Sequence, residues 1–267
     1  LFKAEGGETP SVARVLGLQK GIIYGPVDSR RLGRSLGLNL SPTTYKVCSF
    51  NCVYCHYGWT KDLTSDLSAY RKDLPTPEAV EEALGRTLHN LDSPPDYITF
   101  SGNGEPTLHP DFEAIVDRVL AVRKRTGTEA KVAILSNSTG LADPGVIRGL
   151  KRLDVRIMKL DAGSDEVLRR INRPAVDITV DAIVEGLKEL EDVTLQSVFV
   201  EGGVSNTGEG DVEAWLDRVE EIAPEAMQIY SLENAPAMST LTAVPRDRLV
   251  WIAGKVKART GIEAGTY

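Results

Sequence analysis

The chain has 267 residues, 42% apolar and 26% charged, with a formal net charge of −7. This length buries a core without disulfide help, so a single domain over 1–267 is expected, and no apolar run reaches the roughly 18 residues of a membrane span, so no membrane partner is expected. The acidic balance opposes broad attachment to nucleic acid, and the start, LFKAEGG, lacks a positive stretch followed by an apolar one, so it does not read as a signal peptide and a cytoplasmic location is expected.

In chain order, an N-terminal extension (1–34) leads to a first predicted strand at Leu36–Leu40, and an irregular stretch (45–74) follows. Thr76 and Pro77 suit an N-cap and first helical residue, and Val80, Ala83, Leu84 and Leu88 form one apolar stripe behind them. A strand is predicted at Tyr97–Ser101, then a helix with the stripe Phe112, Ile115, Val116, Val119 and Leu120. That helix ends in the basic run RVLAVRKRTG, which helix-dipole compensation accounts for without nucleic acid. Strands at Lys131–Ser136, Val155–Asp161, Thr194–Val200 and Met227–Leu232 follow. Helical stripes separate and close them: Val146, Ile147 and Leu150 after Asp143-Pro144; Ile183, Val184 and Leu187; Val212, Trp215, Leu216 and Val219; Leu249, Ile252, Ala253 and Val256. Strands separated by helices run parallel through right-handed crossovers, so the fold class expected is α/β, a partial (βα)6 TIM-like barrel with outer helices and its chemistry at the C-terminal strand ends.

All three cysteines, Cys48, Cys52 and Cys55, stand within KVCSFNCVYCHYG in the irregular stretch. Unpaired clustered cysteines point to metal binding or catalysis. A structural zinc site wants four protein ligands; His56, next to Cys55, is poorly placed for one, and no distant ligand pair exists. An iron–sulfur cube takes four cysteines, so three would leave one iron open as a substrate or cofactor site. A zinc-stabilised binding module and an iron–sulfur redox relay stand as alternatives.

CSFNCVYC resembles the Cys-x3-Cys-x-aromatic-Cys signature of the radical S-adenosylmethionine (SAM) superfamily, with Tyr54 at the aromatic position. The resemblance implies a [4Fe-4S] cluster on the three cysteines and SAM as the fourth ligand. It further implies reductive cleavage of SAM to a 5′-deoxyadenosyl radical that abstracts hydrogen from a substrate, with a flavodoxin or ferredoxin-type reductant as electron donor. The stretches YGPVDSRRLGRSLGLNL, SGNGEPTLHP, KLDAG and INRP resemble a substrate-unassigned group of that superfamily related to the tRNA wybutosine-synthesis branch, which carries additional cysteines that this chain lacks.

In FSGNGEPTLHP, Gly102 and Gly104 allow close backbone approach to a ligand and Glu105 can accept a charge-assisted bond from an ammonium. The stretch resembles the family's GGEP motif, which holds the methionine amino group, with Asn103 in place of the first glycine. Taken alone, a Gly-containing turn with Glu105 at a helix entrance reads at least as well; beside the cysteine loop it is the weaker reading. Ser136 and Asn137 at the end of the third predicted strand, and Lys159 and Asp161 at that of the fourth, suit ribose hydroxyls and a carboxylate, as the resemblance implies; Asn137 capping a turn and Asp161 capping the helix after DAGSDE are equally open. Tyr54 is a candidate adenine contact. For the substrate, Arg30 and Arg31 offer a fork for one anionic group, Glu201 stands at the mouth of the fifth strand, and Tyr230 reaches the interior by alternation. These features favour a small-molecule or peptide substrate; a tRNA-modifying enzyme of the same superfamily is the alternative.

Overall fold

The computed structural model describes residues 15–175 and 178–267. Residues 1–14 of the expected N-terminal extension lie outside the described residues.

The strands are β1 (Ile23–Ser29), β2 (Gly33–Leu38), β3 (Val47–Cys48), β4 (Asp62–Leu63), β5 (Tyr97–Phe100), β6 (Lys131–Ser136), β7 (Val155–Lys159), β8 (Val193–Val198), β9 (Val200–Gly202), β10 (Ala226–Tyr230), β11 (Leu241–Ala243) and β12 (Ala264–Thr266). The helices are α1 (Pro77–Asn90), α2 (Phe112–Thr126), α3 (Pro144–Lys151), α4 (Asp165–Ile171), α5 (Val180–Lys188), α6 (Glu209–Ile222) and α7 (Arg246–Thr260). One eight-stranded sheet has the order β1-β2-β5-β6-β7-β8-β10-β12, parallel throughout except for the antiparallel β1–β2 hairpin. The strands thus follow chain order around a partial TIM-like barrel of α/β class, and β2, β5, β6, β7, β8 and β10 are its six expected strands.

Local chemistry sets the helix starts. Thr76 accepts the Ala79 N–H at 3.2 Å with Pro77 in the first turn, and Asp143 accepts the Gly145 N–H at 2.7 Å ahead of α3. The basic end of α2 stops at Gly127 (φ 67°), and its arginines lie against acidic neighbours, Arg125 with Glu81 at 2.9 Å and Arg123 with Asp154. The apolar stripes turn inward, and Trp215 on α6 is fully buried, edge-on to Phe199 at 5.1 Å between ring centroids.

The first barrel strand begins three residues earlier than expected, at Gly33, because it pairs with β1. No strand is expected at β1 from sequence: IYGPVDS contains Gly25-Pro26 and is nowhere fully buried, so it shows no apolar alternation. α4 is capped by Ser164, which accepts the Val167 N–H at 3.4 Å, and not by Asp161, which the fold draws into the interior.

Candidate active site

The irregular stretch is held in place by backbone pairing with the end of α4. Asn51 N donates to Asn172 O at 2.9 Å, Val53 N donates to Ile171 O at 3.0 Å, and Ala175 N donates to Ser49 O at 2.7 Å. The motif INRP is therefore the seat of the cysteine loop. β3 and β4 close the loop's base, and all three cysteines line one cleft of about 280 Å³ at the C-terminal ends of β5, β6 and β7.

Each sulfur meets a side-chain N–H. Lys46 Nζ lies 3.0 Å from Cys55 Sγ, Asn172 Nδ2 3.6 Å from Cys52 Sγ, and Asn137 Nδ2 3.7 Å from Cys48 Sγ. Burial pushes the thiol of Cys48 up to about 11 and that of Cys52 up to about 12, so a cation bound there displaces protons from them. Burial opposes the charge on Lys46, but the neighbouring Cys55 and Cys48 sulfurs outweigh it and hold the ammonium above its ordinary value.

Across the cleft, Glu105 is buried and accepts four hydrogen bonds. Its Oε1 accepts from Thr107 N at 3.0 Å, Thr107 Oγ1 at 2.7 Å and Ser136 Oγ at 2.9 Å, and its Oε2 accepts from Asn137 N at 2.6 Å. Burial raises its carboxyl above the ordinary value against these bonds. Oε2, with a single donor, keeps a lone pair for a cation in the cleft. The glycines on either side are needed for close approach: Gly102 has φ 132°, and a Cβ on Gly104 would stand 2.2 Å from the Val47 carbonyl oxygen at the base of the cysteine loop. Between them, Asn103 faces the N-terminal segment. Its Oδ1 accepts from Gln19 N at 2.7 Å, and its Nδ2 donates to Gln19 O and to Pro42 O, both at 2.9 Å.

Several residues expected to touch a ligand have structural partners. Asn137 donates to Ser49 Oγ at 2.9 Å and accepts from Thr139 N at 3.0 Å, while Ser136 supports Glu105. Asp161 is 4% exposed and accepts from Tyr54 Oη, Asn172 Nδ2 (2.7 Å) and Val198 N (2.8 Å), so it ties the cysteine loop to α4 and β8. Lys159 lines the cleft, 3.4 Å from Asp161 and 3.2 Å from Tyr230 Oη; burial opposes its charge, but Asp161 and then Tyr230 hold it above its ordinary value. Tyr54 and Tyr230 line the same cleft, each ring with the Lys159 ammonium 5.1 Å from its centroid.

Arg30 and Arg31 lie in the β1–β2 turn and converge on Glu233 at 2.7 and 3.0 Å, so the expected free fork for an anion is already occupied by a carboxylate. Arg31 also stacks on Tyr230 at 4.6 Å. Neither arginine lines the cysteine cleft, and Glu201, on β9, instead accepts from Thr207 Oγ1 at 3.0 Å. Lys46 and Asn172 stand inside the KVCSFNCVYCHYG and INRP stretches, but nothing in the sequence assigns either a role of its own. His56 lines the cleft with its Nδ1 buried and unpartnered, and burial holds its pKa below the ordinary value.

Residues 43–219 match the Radical SAM superfamily, a span that takes in the cysteine loop, the Gly102–Glu105 turn and the strands that carry the cleft. The chain belongs to the radical SAM superfamily and is an enzyme of that class, whose members work with an iron–sulfur cluster and SAM. Among curated proteins it is similar to the UPF0026 protein MJ1312 of Methanocaldococcus jannaschii, 35% identical over 175 residues, which are 64% of this chain and 50% of that protein. It is also similar to a protein named GTPase Obg from Brachyspira hyodysenteriae, 30% identical over 212 residues, 78% of this chain and 29% of that one. The chain thus spans half or less of these relatives. Among solved structures, TYW1 with a lysine-pyruvate adduct bound has a TM-score of 0.61 at 17% identity, covering 85% of this chain and 74% of that chain, a likeness of fold. Among the described residues no helix is long and apolar enough to cross a membrane.

Proposed function

We propose that this chain binds one [4Fe-4S] cluster through Cys48, Cys52 and Cys55, holds SAM at the open iron, and acts on a small-molecule or peptide substrate in the cytoplasm. The observation that carries the reading is the single cleft in which three thiols, each met by a side-chain N–H, face the Glu105 carboxylate. The donor set fits a cluster better than zinc: three cysteines are one short of the four protein ligands that a structural zinc site takes, whereas a cube on three cysteines leaves one iron open to a ligand.

When bound, the cluster supplies the electron that cleaves the sulfonium of SAM and so yields a 5′-deoxyadenosyl radical for hydrogen abstraction. The chain's own residues bind and orient. The open lone pair of Glu105 Oε2 suits the methionine ammonium, Lys159 suits a carboxylate, and the Gly102–Gly104 turn packs closely on Asn39 and Val47 and so sets Glu105 across from the cysteines. Tyr54, Phe50 and Leu135 give the cleft apolar walls. The reductant is of flavodoxin or ferredoxin type.

Anaerobic reconstitution with iron and sulfide tests the reading. The expected protein carries about four irons, its reduced electron paramagnetic resonance (EPR) spectrum changes on adding SAM, and dithionite drives 5′-deoxyadenosine release. Stoichiometric zinc with no iron-dependent spectrum refutes it.

A further inference from the structure

The three side-chain N–H donors around the cysteine loop are not equivalent. The amides of Asn137 and Asn172 are neutral and stand 3.7 and 3.6 Å from their sulfurs, whereas the Lys46 ammonium is 3.0 Å from Cys55 Sγ. Lys46 is 5% exposed, and its side chain is fixed by a second bond to the Gly58 carbonyl at 2.8 Å. Burying an ammonium costs several kcal/mol unless an opposite charge compensates it, and neither of its hydrogen-bond partners is a carboxylate. The compensating negative charge would come with the cluster, from the cysteine sulfurs that give up their protons on binding it. Two buried carboxylates, Glu105 beside Cys48 and Asp161 beside Cys52, press the local potential the other way.

On the reading proposed above, we propose that Lys46 sets the reduction potential of the cluster, raising it through a buried positive charge held against the Cys55 ligand. Reduction adds one electron to the cluster and moves no bond or proton; the electron comes from the one-electron reductant. The reduced cluster carries one more negative charge than the oxidised one, so a fixed cation in contact with a ligand sulfur stabilises it more. A neutral donor of similar length would keep the hydrogen bond and lose this difference.

The test needs neither SAM nor substrate. Wild type, Lys46→Gln, Lys46→Met and Lys46→Arg are reconstituted anaerobically, assayed for iron and sulfide, and titrated against a poised reductant with the EPR signal of the reduced cluster as readout. Lys46→Gln is expected to keep its iron and, at the wild-type midpoint, to show a reduced-to-oxidised ratio lower by at least about tenfold, about 59 mV for a one-electron couple. Lys46→Arg is expected to return most of that shift. A smaller shift in Lys46→Gln at full iron content overturns the inference, as does loss of the cluster from both neutral variants, which would assign Lys46 to holding the loop. A wild-type protein that takes up no reducible cluster refutes the proposed function itself, an outcome distinct from a loaded wild type whose variants do not shift.

Discussion

Glu105 is both a candidate ligand and a structural acceptor, and the two roles separate experimentally. Truncation in Glu105→Ala leaves the Thr107 and Asn137 N–H groups buried without an acceptor, at about 1–3 kcal/mol each, so stability is expected to fall by about 2–6 kcal/mol in urea unfolding. Loss of a charge-assisted acceptor worth about 1.5–3 kcal/mol is expected to weaken SAM binding at least about tenfold in a variant that retains its iron. Glu105→Gln keeps the oxygen that three donors share and removes the charge, so it is expected to lose SAM affinity with a smaller loss of stability. Equal SAM affinity in the loaded Gln variant would remove Glu105 from the binding role. The pH sign follows from burial: the carboxyl sits above its ordinary value, an ammonium is held by its ionised form, and so SAM affinity falls as pH drops through that raised value.

At the scale of elements, the segment leading into β1 is laced across the cysteine loop and the Gly102–Glu105 turn. Leu16 N donates to His56 O and Asn39 N donates to Ile22 O, both at 2.7 Å, Gln19 Nε2 donates to Tyr57 Oη at 3.1 Å, and Asn103 clamps the Gln19 backbone from both sides. An asparagine at 103 does what a glycine at the same position of the resembling motif cannot, since its amide supplies the donor and acceptor that an adjacent strand would offer. Asn103→Ala is expected to cost about 1–2 kcal/mol and to release the segment locally. Hydrogen exchange at the Gln19 amide then becomes fast and independent of denaturant, the mark of local opening. Protection retained at Gln19 in the variant would show that the other ties suffice.

For the whole molecule, charge bears on the choice of substrate. The net charge is −7, the arginines at the end of α2 are matched by Glu81 and Asp154, and Arg30 and Arg31 share Glu233. Little unpaired positive surface is left in these basic runs to meet a row of phosphates. The chain is therefore expected to retain no tRNA in filter binding at about 0.15 M salt, where a protein with several phosphate contacts still binds. Tight retention that weakens steeply with salt would favour the tRNA-modifying alternative.

The strands and helices of the barrel are legible in the sequence because a parallel strand covered on both faces reads as a short apolar run, as at Lys131–Ser136, and burial on one face of a helix imposes a period of 3.6, as at Val212–Val219. The cysteine spacing is equally local: three thiols within eight positions define a ligand set before any folding is considered. Strand β1 left no such mark, since its half-exposed residues pair with β2 through backbone groups that every residue carries. Nor did the roles of the polar residues at the strand ends. Asp161 reads as a cap or a ligand until Tyr54, Asn172 and Val198, distant in sequence, fill its oxygens, and Arg30 and Arg31 read as a free clamp until Glu233 arrives from the far end of the chain. Sequence alone determined which atoms are available for chemistry and the repeating pattern that builds the barrel. Only the tertiary structure decided which of those atoms remain free, because a hydrogen bond or ion pair between distant residues consumes a donor or acceptor without leaving any periodicity behind.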